Sequence, residues 1–529
     1  MTPDSAAPDS DAAGPATPAE PAHAAALAGG VAGPAALRPL LETVLTALAA
    51  GAERRGGPLA AGDPKALAAE VGHAVHAPQA SLATLTELLA HGAADPADPA
   101  CAAHLHCPPL AVAVAADLAA GALNSSLDSW DQAPAATVLE TELLAELAAL
   151  VGYQPQQAAG VLTSGGTESN LLGLLLARDR ALRTPHSRPE LDGVDLARRP
   201  RIYASRAAHF SVQRAAALLG LGERAVVPVA VDADQRLDPA ALAAALAAGE
   251  RDGETPVAVV ATAGTTDTGA VDPLRRCAQL AAAHGSWLHV DAAYGGGALL
   301  SDRLAPLLDG LALADSVALD WHKFGWQPVA AGVFLVREAE SYASLARRAA
   351  YLNPLDDEQA GYPSLLGRSL RTTRRADAFK LLVTLRTLGR AGLGALVDRC
   401  RELALAAAEL VRARPELELH REPLLTTVLF RARPPAGAPA GRLDADRAGP
   451  DRCETDGLVS DRFNAELRRR LLAEGRAVLG RTELPAPVPG VTPGSVRLKL
   501  TLLNPHTTEA DLARLLDTVV ATARELGRA

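Results

Sequence analysis

The feature of this sequence that most restricts its fold is a series of short apolar runs, each of which ends in a polar or glycine-rich turn. The runs occupy residues 161–163, 201–205, 256–261, 287–290 and 317–319. Helical stretches, such as residues 239–248 and 273–283, lie between them. Strands that alternate with helices are joined by right-handed crossovers and form a largely parallel sheet. The sequence therefore predicts an α/β fold in which the residues after the strands meet at one edge, where such sheets bind ligands.

Four side chains are predicted to lie at this edge: His209, Thr262, Asp291 and Lys323. An aspartate buried after an apolar strand needs a partner, and a protonated ring nitrogen is a suitable one. The lysine is one of only four in a chain with 51 lysines and arginines. An arginine cannot act as an amine nucleophile, so a lysine at this place favours Schiff-base chemistry. The alternative, a lysine that extends from a strand end into water, stays open on this stretch alone.

A second candidate site is the turn at residues 164–167, Ser-Gly-Gly-Thr, which precedes a strongly apolar helix. Two glycines permit a tight turn, and Thr167 or Ser169 can cap the helix. The first amides of the helix and its dipole would then form an anion site. The turn is neither a dinucleotide fingerprint nor a Walker loop, because no Gly-Lys-Ser/Thr follows.

Composition argues against several classes of partner. The net charge of -10 and the pI near 5.8 are unfavourable for binding nucleic acid or an anionic membrane. The five cysteines are an odd number without a tight pair, so neither a disulfide framework nor a metal site is expected, and a cytoplasmic location fits. No signal peptide is evident in the acidic start of the chain, and the alanine-rich apolar runs predict no membrane span.

The remaining segments suggest the organisation of the chain. Residues 1–34 are rich in alanine and proline and are predicted to be a disordered tail. Helices are expected at residues 35–48, 82–89, about 110–122 and 136–151. Further strands are expected at residues 426–430, 477–479 and 496–503, with a surface loop or partly disordered insertion at residues 432–451. The helices before residue 123 are expected to pack against another element, such as a second subunit.

Several motifs together resemble those of the pyridoxal-phosphate-dependent group II amino acid decarboxylases. They are Thr-Ser-Gly-Gly-Thr-Glu-Ser-Asn at 163–170, His-Phe-Ser at 209–211, Ala-Thr-Ala-Gly-Thr-Thr at 261–266, His-Val-Asp-Ala-Ala-Tyr-Gly at 289–295 and Asp-Trp-His-Lys at 320–323. The similarity runs from about residue 104 to residue 505. Within the family, Asn-Ser-Ser-Leu-Asp-Ser-Trp-Asp-Gln at 124–132 and Ser-Leu-Arg-Thr-Thr-Arg-Arg at 369–375 are most similar to bacterial decarboxylases of diaminobutyrate and of lysine in siderophore synthesis.

The resemblance implies an aspartate aminotransferase-like fold, called fold type I, and pyridoxal 5'-phosphate as the cofactor. It implies a homodimer in which residues 35–123 form a helical dimerisation segment. Residues 124–400 would form the large cofactor-binding domain with a mainly parallel sheet. Residues 401–529 would form a small C-terminal α+β domain.

The resemblance also implies a role for each matching residue. Lys323 would hold the cofactor covalently, Asp291 would keep its ring nitrogen protonated, and His209 would stack on the ring. The phosphate would be bound by Gly166 and Thr167. The other expected cofactor contacts are Thr262, Ala293 and His322.

Substrate recognition is assigned to the turn-rich stretch that contains Trp130 and Asp131. A carboxylate there would favour a second amino group on the substrate, as in 2,4-diaminobutyrate, ornithine or lysine. Asp131 as a helix cap or an arginine partner is an equal alternative. After the cleavage, the proton donor is either Tyr362, in the loop at about residues 355–370, or His209.

The predicted function is the decarboxylation of an L-amino acid, most simply a diamino acid, to an amine and carbon dioxide. Three other activities stay open: an aromatic amino acid decarboxylase, an aminotransferase of the same fold that uses Arg497 for the α-carboxylate, and a non-catalytic binding protein. An unrelated doubly wound nucleotide-binding protein would leave the pairing of Asp291 with Lys323 unexplained.

The first prediction concerns Lys323. Borohydride reduction of the yellow protein should fix the cofactor to this residue, and Lys323→Arg should abolish turnover because a guanidinium cannot form the link. Peptide mapping by mass spectrometry measures the site of reduction. A label on Lys65, Lys380 or Lys499 would contradict the assignment.

Overall fold

The larger of two sheets has seven strands, of which six run in one direction. The computed structural model describes residues 25–434, 452–484 and 495–528. The strands are β1 (Ala159–Thr163), β2 (Pro200–Ser205), β3 (Val226–Val229), β4 (Thr255–Thr262), β5 (Trp287–Ala292), β6 (Ser316–Asp320) and β7 (Gly332–Val336). Their order across the sheet is β1-β7-β6-β5-β4-β2-β3. Only β7 is antiparallel to its neighbours, so the predicted, mainly parallel α/β sheet is confirmed.

The central strands are buried on both faces, which explains their continuous apolar sequences. Helices lie before, between and after the strands. Those before β1 are α1 (Gly33–Arg55), α2 (Pro64–His76), α3 (Leu82–Gly92), α4 (Ala111–Leu123) and α5 (Pro134–Val151). Those between or after the strands are α6 (Gly166–Leu182), α7 (Pro189–Asp192), α8 (Ser211–Leu218), α9 (Pro239–Arg251), α10 (Leu274–Ala283), α11 (Trp321–Phe324) and α12 (Leu355–Gln359). Short 3-10 helices lie at Leu196–Arg198, Glu223–Ala225, Gly295–Leu300, Ala305–Leu308, Leu311–Leu313, Ala339–Ser344 and Leu366–Arg368.

A smaller antiparallel sheet follows in the chain. It consists of β8 (Leu417–Leu419), β9 (Thr427–Ala432), β10 (Gly480–Glu483) and β11 (Val496–Thr501), in the order β10-β11-β9-β8. Its helices are α13 (Ala378–Arg412), α14 (Arg452–Ala473) and α15 (Glu509–Arg528). This small α+β layer agrees with the predicted fold class.

The expected strand at residues 477–479 is wrong. Val478 forms only an isolated bridge with Cys101. Its N–H donates to the carbonyl of Ala100, and its carbonyl accepts from the N–H of Ala102, so the backbone pairs with this earlier segment. The strand of the small sheet begins at Gly480.

The long helix α13 connects the two sheets. Its apolar residues up to Cys400 pack in the core of the large sheet, and those from Leu403 onward pack in the core of the small sheet. Gly389 interrupts the helix with a φ of 66°. The predicted domain boundary at 400/401 falls between the two sets of contacts, and the division into domains stays a prediction.

The helical predictions near the N-terminus are confirmed with longer bounds. Helix α1 has a proline in its first turn and ends at Gly56, which adopts a left-handed φ of 70°. It begins two residues before the end of the expected tail, of which residues 1–24 lie outside the described residues. Most of the expected loop at residues 432–451 also lies outside them.

Helix α1 is also the one described helix whose length and apolar composition would allow it to cross a membrane. Only 11% of its most apolar window is buried. It packs closely on α3, where the side chain of Arg55 donates to the carbonyl of Ala90 at 2.6 Å.

A buried ion pair ties the segment before α13 to the front of the large sheet. The guanidinium of Arg374 donates to the carboxylate of Glu140 on α5 at 2.7 Å, and both side chains are almost fully buried. The same carboxylate accepts from the N–H of Leu162 in β1 at 3.4 Å. Removal of either charge would leave the other buried and unpaired, so the pair is expected to be maintained. Through Glu140 it holds β1, and therefore the turn after β1, in position.

Candidate functional site

A cavity of about 490 Å³ opens at the edge of the large sheet where β1, β4, β5 and β6 end. The polar turns that follow parallel strands meet there, as the alternation of strands and helices predicts. Eight of the predicted site residues line the cavity: Gly166, Thr167, His209, Thr262, Asp291, Ala293, His322 and Lys323.

Three predicted residues do not line it. Trp130 lies beside Tyr362, with ring centroids 6.2 Å apart. Tyr362 is half exposed, and Asp131 is exposed and accepts a hydrogen bond from the hydroxyl of Ser129 at 2.5 Å. The helix-capping alternative for Asp131 is wrong, because no side chain caps α5.

Lys323 is in the one-turn helix α11 and not in the strand itself, because β6 ends at Asp320. Its ammonium lies 2.7 Å from Oδ2 of Asp320, which is buried. His322 Nε2 lies 3.6 Å from the same oxygen, and its Nδ1 accepts from the N–H of Ala331 at 3.2 Å. Burial lowers the pKa of His322, so this ring is neutral near pH 7. The carboxylate of Asp320 was not singled out from the sequence, although it stands three residues before Lys323.

Asp291 ends β5 and is buried. Its Oδ1 accepts from the N–H of Ala293 at 3.1 Å, and its Oδ2 accepts from the amide Nδ2 of Asn170 at 2.8 Å. Both hydrogen bonds hold the buried carboxylate in place. The buried aspartate was expected to need a partner, and the chain itself provides two. The ring nitrogen of the cofactor would be a third.

The turn after β1 forms the opposite wall. Gly165 precedes the first residue of α6, and no side chain caps the helix. The expected capping by Thr167 or Ser169 is wrong: the Ser169 hydroxyl is hydrogen bonded to Thr163 Oγ1 at 2.8 Å. The first N–H groups of α6 are thus left without a side-chain acceptor, as an anion site requires.

Close approach explains why glycine stands at position 166. A Cβ there would lie 2.9 Å from the Cβ of Ala293 and 3.3 Å from Oδ2 of Asp320. Both are cavity residues, so a side chain at this position would push the turn away from the end of β5 and β6.

His209 follows β2 and lines the cavity. Its Nδ1 is 2.9 Å from the hydroxyl of Ser211. Burial, and to a smaller extent the nearby positive charge of Lys323, lower its pKa, although Asp291 opposes the shift. The imidazole is therefore neutral near pH 7.

Sequence reasoning missed the second lysine of the cavity. Lys499, on β11, is buried, and its ammonium donates to the carbonyl of Thr266 at 2.9 Å and lies 3.4 Å from Oδ1 of Asp267. Arg497, the residue expected for an aminotransferase, does not line the cavity. The scarcity of lysine in the sequence could have pointed to Lys499, because two of the four lysines line this cavity.

The residues present fit a pyridoxal phosphate group. An amine at the end of β6, a buried carboxylate at the end of β5 and an uncapped helix N-terminus face one cavity. The amine can bind the aldehyde of the cofactor, the carboxylate can pair with its pyridine nitrogen, and the helix N-terminus can bind its phosphate. The hydroxyl of Thr262 is buried and has no hydrogen-bond partner within the described ranges, so it can accept one from a bound molecule.

Comparisons with known proteins point to the same chemistry. The Pyridoxal-dependent decarboxylase conserved domain matches residues 71–433. An L-2,4-diaminobutyrate decarboxylase of Rhizobium meliloti is 44% identical over 81% of this chain and 78% of that protein. A second L-2,4-diaminobutyrate decarboxylase, of Acinetobacter baumannii, is 37% identical over 85% of this chain and 84% of that protein.

A solved structure shares the fold over almost the whole chain. It is the glutamate decarboxylase domain of diaminobutyrate-pyruvate transaminase and L-2,4-diaminobutyrate decarboxylase from Vibrio parahaemolyticus. The TM-score is 0.77 at 33% identity, and the match covers 94% of this chain and 98% of that one.

The second prediction tests the turn before α6. Gly166→Ala should weaken the binding of pyridoxal 5'-phosphate at least about tenfold, or ~1.4 kcal/mol, because the added methyl group displaces the uncapped amides. Quenching of tryptophan fluorescence on titration of the apoprotein measures the affinity. The matched control is Gly121→Ala in α4, where a Cβ meets nothing within 4 Å. Equal affinities for the two variants would contradict the phosphate assignment.

Proposed function

Because the chain belongs to the pyridoxal-dependent decarboxylase family, we propose that it converts L-2,4-diaminobutyrate, or a closely related diamino acid, to the amine and carbon dioxide. The motif-based prediction of the family, of the cofactor and of a decarboxylase is confirmed by the family match. The observation that carries the choice of substrate is the identity of 44% and 37% to two L-2,4-diaminobutyrate decarboxylases over most of the chain. No specific observation favours the aromatic substrates.

Bound pyridoxal 5'-phosphate supplies an aldehyde that takes up the substrate amine and a protonated ring that accepts the electron pair left when carbon dioxide departs. In the proposed roles, Lys323 holds the cofactor covalently and Asp291 faces the ring nitrogen. The carboxylate, held by two N–H donors, would stabilise the positive ring. Asp320 lies against Lys323 and would hold the released amine in place after the substrate has replaced it.

The remaining roles follow the walls of the cavity. We assign the phosphate to the amides of Gly166 and Thr167, with His322 beside them. The methyl group of Ala293 and the hydroxyl of Thr262 would contact the ring or its substituents, and His209 would stack on its face. Each of these residues lines the cavity.

The α-carboxylate of the substrate requires a positive partner that does not draw it into the plane of the ring. Lys499 is the buried cation of the cavity other than Lys323, and we assign this contact to it. Its ammonium already donates to the carbonyl of Thr266, which holds its position while one or two donors remain for the substrate. An aminotransferase would fix the carboxylate with an arginine such as Arg497, and this arginine is not in the cavity wall.

Proton return to the α-carbon needs an acid, and two candidates remain. His209 lines the cavity, whereas Tyr362 is half exposed and packs near Trp130 outside its wall. Tyr362 would act only if its loop, or the same loop of a second subunit, reaches the cavity.

We propose that the protein acts as a homodimer whose interface includes the N-terminal helices. Large apolar side chains are exposed along α1, α2 and α3, among them Leu45 at 60% and Leu89 at 72%. A surface of this kind on a protein that works in water is normally covered by a partner. Apolar side chains are also exposed on α4 and in the loop at residues 351–370, such as Leu123 and Tyr351, and we include them in the proposed interface. The dimer would thereby bring Trp130, Asp131 and Tyr362 to the boundary between two cavities.

We place the protein in the cytoplasm, with neither a membrane nor nucleic acid as a partner. The four cysteines of the described ranges are unpaired, which suits a reducing compartment. The net charge of -10 opposes contact with phosphate-rich surfaces. In this account the apolar surface of α1 is covered by a second copy and not by lipid.

The third prediction tests the substrate. Amine and carbon dioxide should form from L-2,4-diaminobutyrate in preference to ornithine, lysine, tyrosine and phenylalanine, as measured by mass spectrometry across the panel. Asp131→Asn should lower kcat/KM on the diamino acid about tenfold (~1.4 kcal/mol) and leave the low rate on tyrosine unchanged, because the lost charge serves only a second ammonium.

The control for this variant is Asp302→Asn, which removes a carboxylate whose side chain is 88% exposed. It should leave the whole panel unchanged. A parent enzyme that prefers aromatic amino acids would end the substrate assignment. Equal losses on all substrates with Asp131→Asn would end the role of Asp131 alone.

The fourth prediction tests the interface. In sedimentation velocity without detergent the protein should be a dimer, and Leu89→Glu should shift it toward monomer with a parallel loss of activity, because a charge would be buried at the contact. Leu191→Glu, at a leucine that is 63% exposed on α7, is the control and should stay dimeric. A fully active monomer, or a protein that needs detergent to remain in solution, would contradict the proposal.

A further inference from the structure

A line of buried polar side chains runs behind the cavity, and most of it has no part in the proposed function so far. It begins at Trp287 and His289 on β5 and at Ser316 on β6, passes through Asn170 on α6, and reaches the cavity at Asp291 and His209. Trp287, His289, Ser316 and Asn170 are at most 3% exposed. Neutral side chains are rarely buried in such a series unless every donor and acceptor is matched.

The orientation of the Asn170 amide is fixed by Asp291. An ionised carboxylate only accepts hydrogen bonds, so the group 2.8 Å from its Oδ2 must be the NH₂ of Asn170. The carbonyl Oδ1 of Asn170 then faces Nε2 of His289 at 2.9 Å. Since a carbonyl only accepts, the proton of His289 is on Nε2.

The other end of the line is consistent with this answer. The indole of Trp287 only donates, so Oγ of Ser316 accepts from it at 2.8 Å. The hydroxyl proton of Ser316 is then free to point at Nδ1 of His289, also at 2.8 Å. Complete burial lowers the pKa of His289 and keeps the ring neutral, so with the proton on Nε2 its Nδ1 is bare and can accept this hydrogen bond.

The second N–H of the Asn170 amide links this hydrogen-bond network to His209. The same Nδ2 donates to Oγ of Ser211 at 2.9 Å. The Ser211 hydroxyl then donates to Nδ1 of His209 at 2.9 Å. The backbone N–H of Ser211 also points at that Nδ1, at 3.3 Å, and an N–H can only donate. Nδ1 of His209 is therefore an acceptor from two directions.

We propose that Asn170 is a positioning residue that holds Asp291 with one N–H and, through Ser211, fixes His209 as the tautomer with its proton on Nε2. The chain of Trp287, Ser316 and His289 holds the Asn170 amide in the one orientation that achieves both. Nε2 of His209 makes no hydrogen bond to any other residue that the structure describes, so its N–H is available to the contents of the cavity.

This assignment has a chemical consequence, which rests on the proposed function. A ring whose cavity-facing nitrogen carries the proton is a hydrogen-bond donor and not a base. Its Nε2–H can donate a hydrogen bond to the substrate carboxylate, and the same nitrogen cannot remove the α-proton, the step that starts transamination. The same amide that orients the carboxylate for the ring nitrogen therefore also excludes Nε2 of His209 as the base of a transamination.

The tautomer can be observed without any turnover. In holoenzyme labelled with ¹⁵N-histidine, two-bond ¹H–¹⁵N spectra distinguish a bare nitrogen from a protonated one, and His209→Gln and His289→Gln assign the two rings by subtraction. The expected pattern is a protonated Nε2 and a bare Nδ1 in both His209 and His289. A proton on Nδ1 of His209 in the wild-type holoenzyme would overturn the proposal.

The variants then test the chain. His289→Leu, which touches neither the cavity nor the cofactor, should disturb the His209 pattern and lower kcat at least about tenfold while KM changes less. His289→Gln keeps an amide N–H for Asn170 and should restore most of both. Unchanged His209 spectra in both His289→Leu and Asn170→Asp would overturn the chain as the cause. A wild-type protein with the expected spectrum that releases carbon dioxide from no amino acid would contradict the proposed function and still support the tautomer.

Discussion

The ionised carboxylate of Asp291, buried at the end of β5, is the interaction on which the site depends. A charge in such a place is unfavourable unless N–H groups surround it. Two are provided by the chain itself, from the backbone of Ala293 and from the amide of Asn170. The second links the carboxylate to α6, the helix whose first amides form the opposite wall of the cavity. The position of the charge, the start of the helix and the sheet edge are therefore coupled.

The cavity keeps its charges apart in a way that suits an amino acid bound to a pyridoxal ring. The ammonium of Lys323 pairs with Asp320, and that of Lys499 is held by the carbonyl of Thr266, so neither cation is next to Asp291 as its hydrogen-bond partner. One face of the site can thus stabilise a positive ring while another binds a carboxylate. Neutral histidines, His209 and His322, lie between these charged groups and add no further net charge.

The sequence allowed much of this arrangement to be predicted, since the residues concerned follow strands. Lys323, Asp291 and Thr262 each stand at or just after the end of an apolar run, and parallel strands bring such ends together. The Gly-Gly turn was predicted as an anion site, although the cap expected from Thr167 or Ser169 is absent, because the Ser169 hydroxyl is used by Thr163.

The parts that could not be predicted depend on distant contacts. Lys499 comes from the small sheet, and nothing in its local sequence indicates that β11 reaches the cavity. The Asn170 amide lies within a recognised motif, but its partners Asp291 and His289 are 121 and 119 positions away in the chain. The position of Trp130 beside Tyr362 depends on the loop at residues 351–370, which the strand pattern does not encode.

The most direct test of the account is the rate of carbon dioxide release by Asp291→Asn at saturating pyridoxal 5'-phosphate, with bound cofactor measured in the same sample. The amide keeps the shape but loses the charge that stabilises the ring, so kcat should fall at least about 100-fold while cofactor is still bound. Asp272→Asn is the control, since this buried aspartate holds the N–H of Thr262 without lining the cavity, and its effect on kcat should be far smaller. A rate for cofactor-loaded Asp291→Asn close to that of the parent would contradict the account.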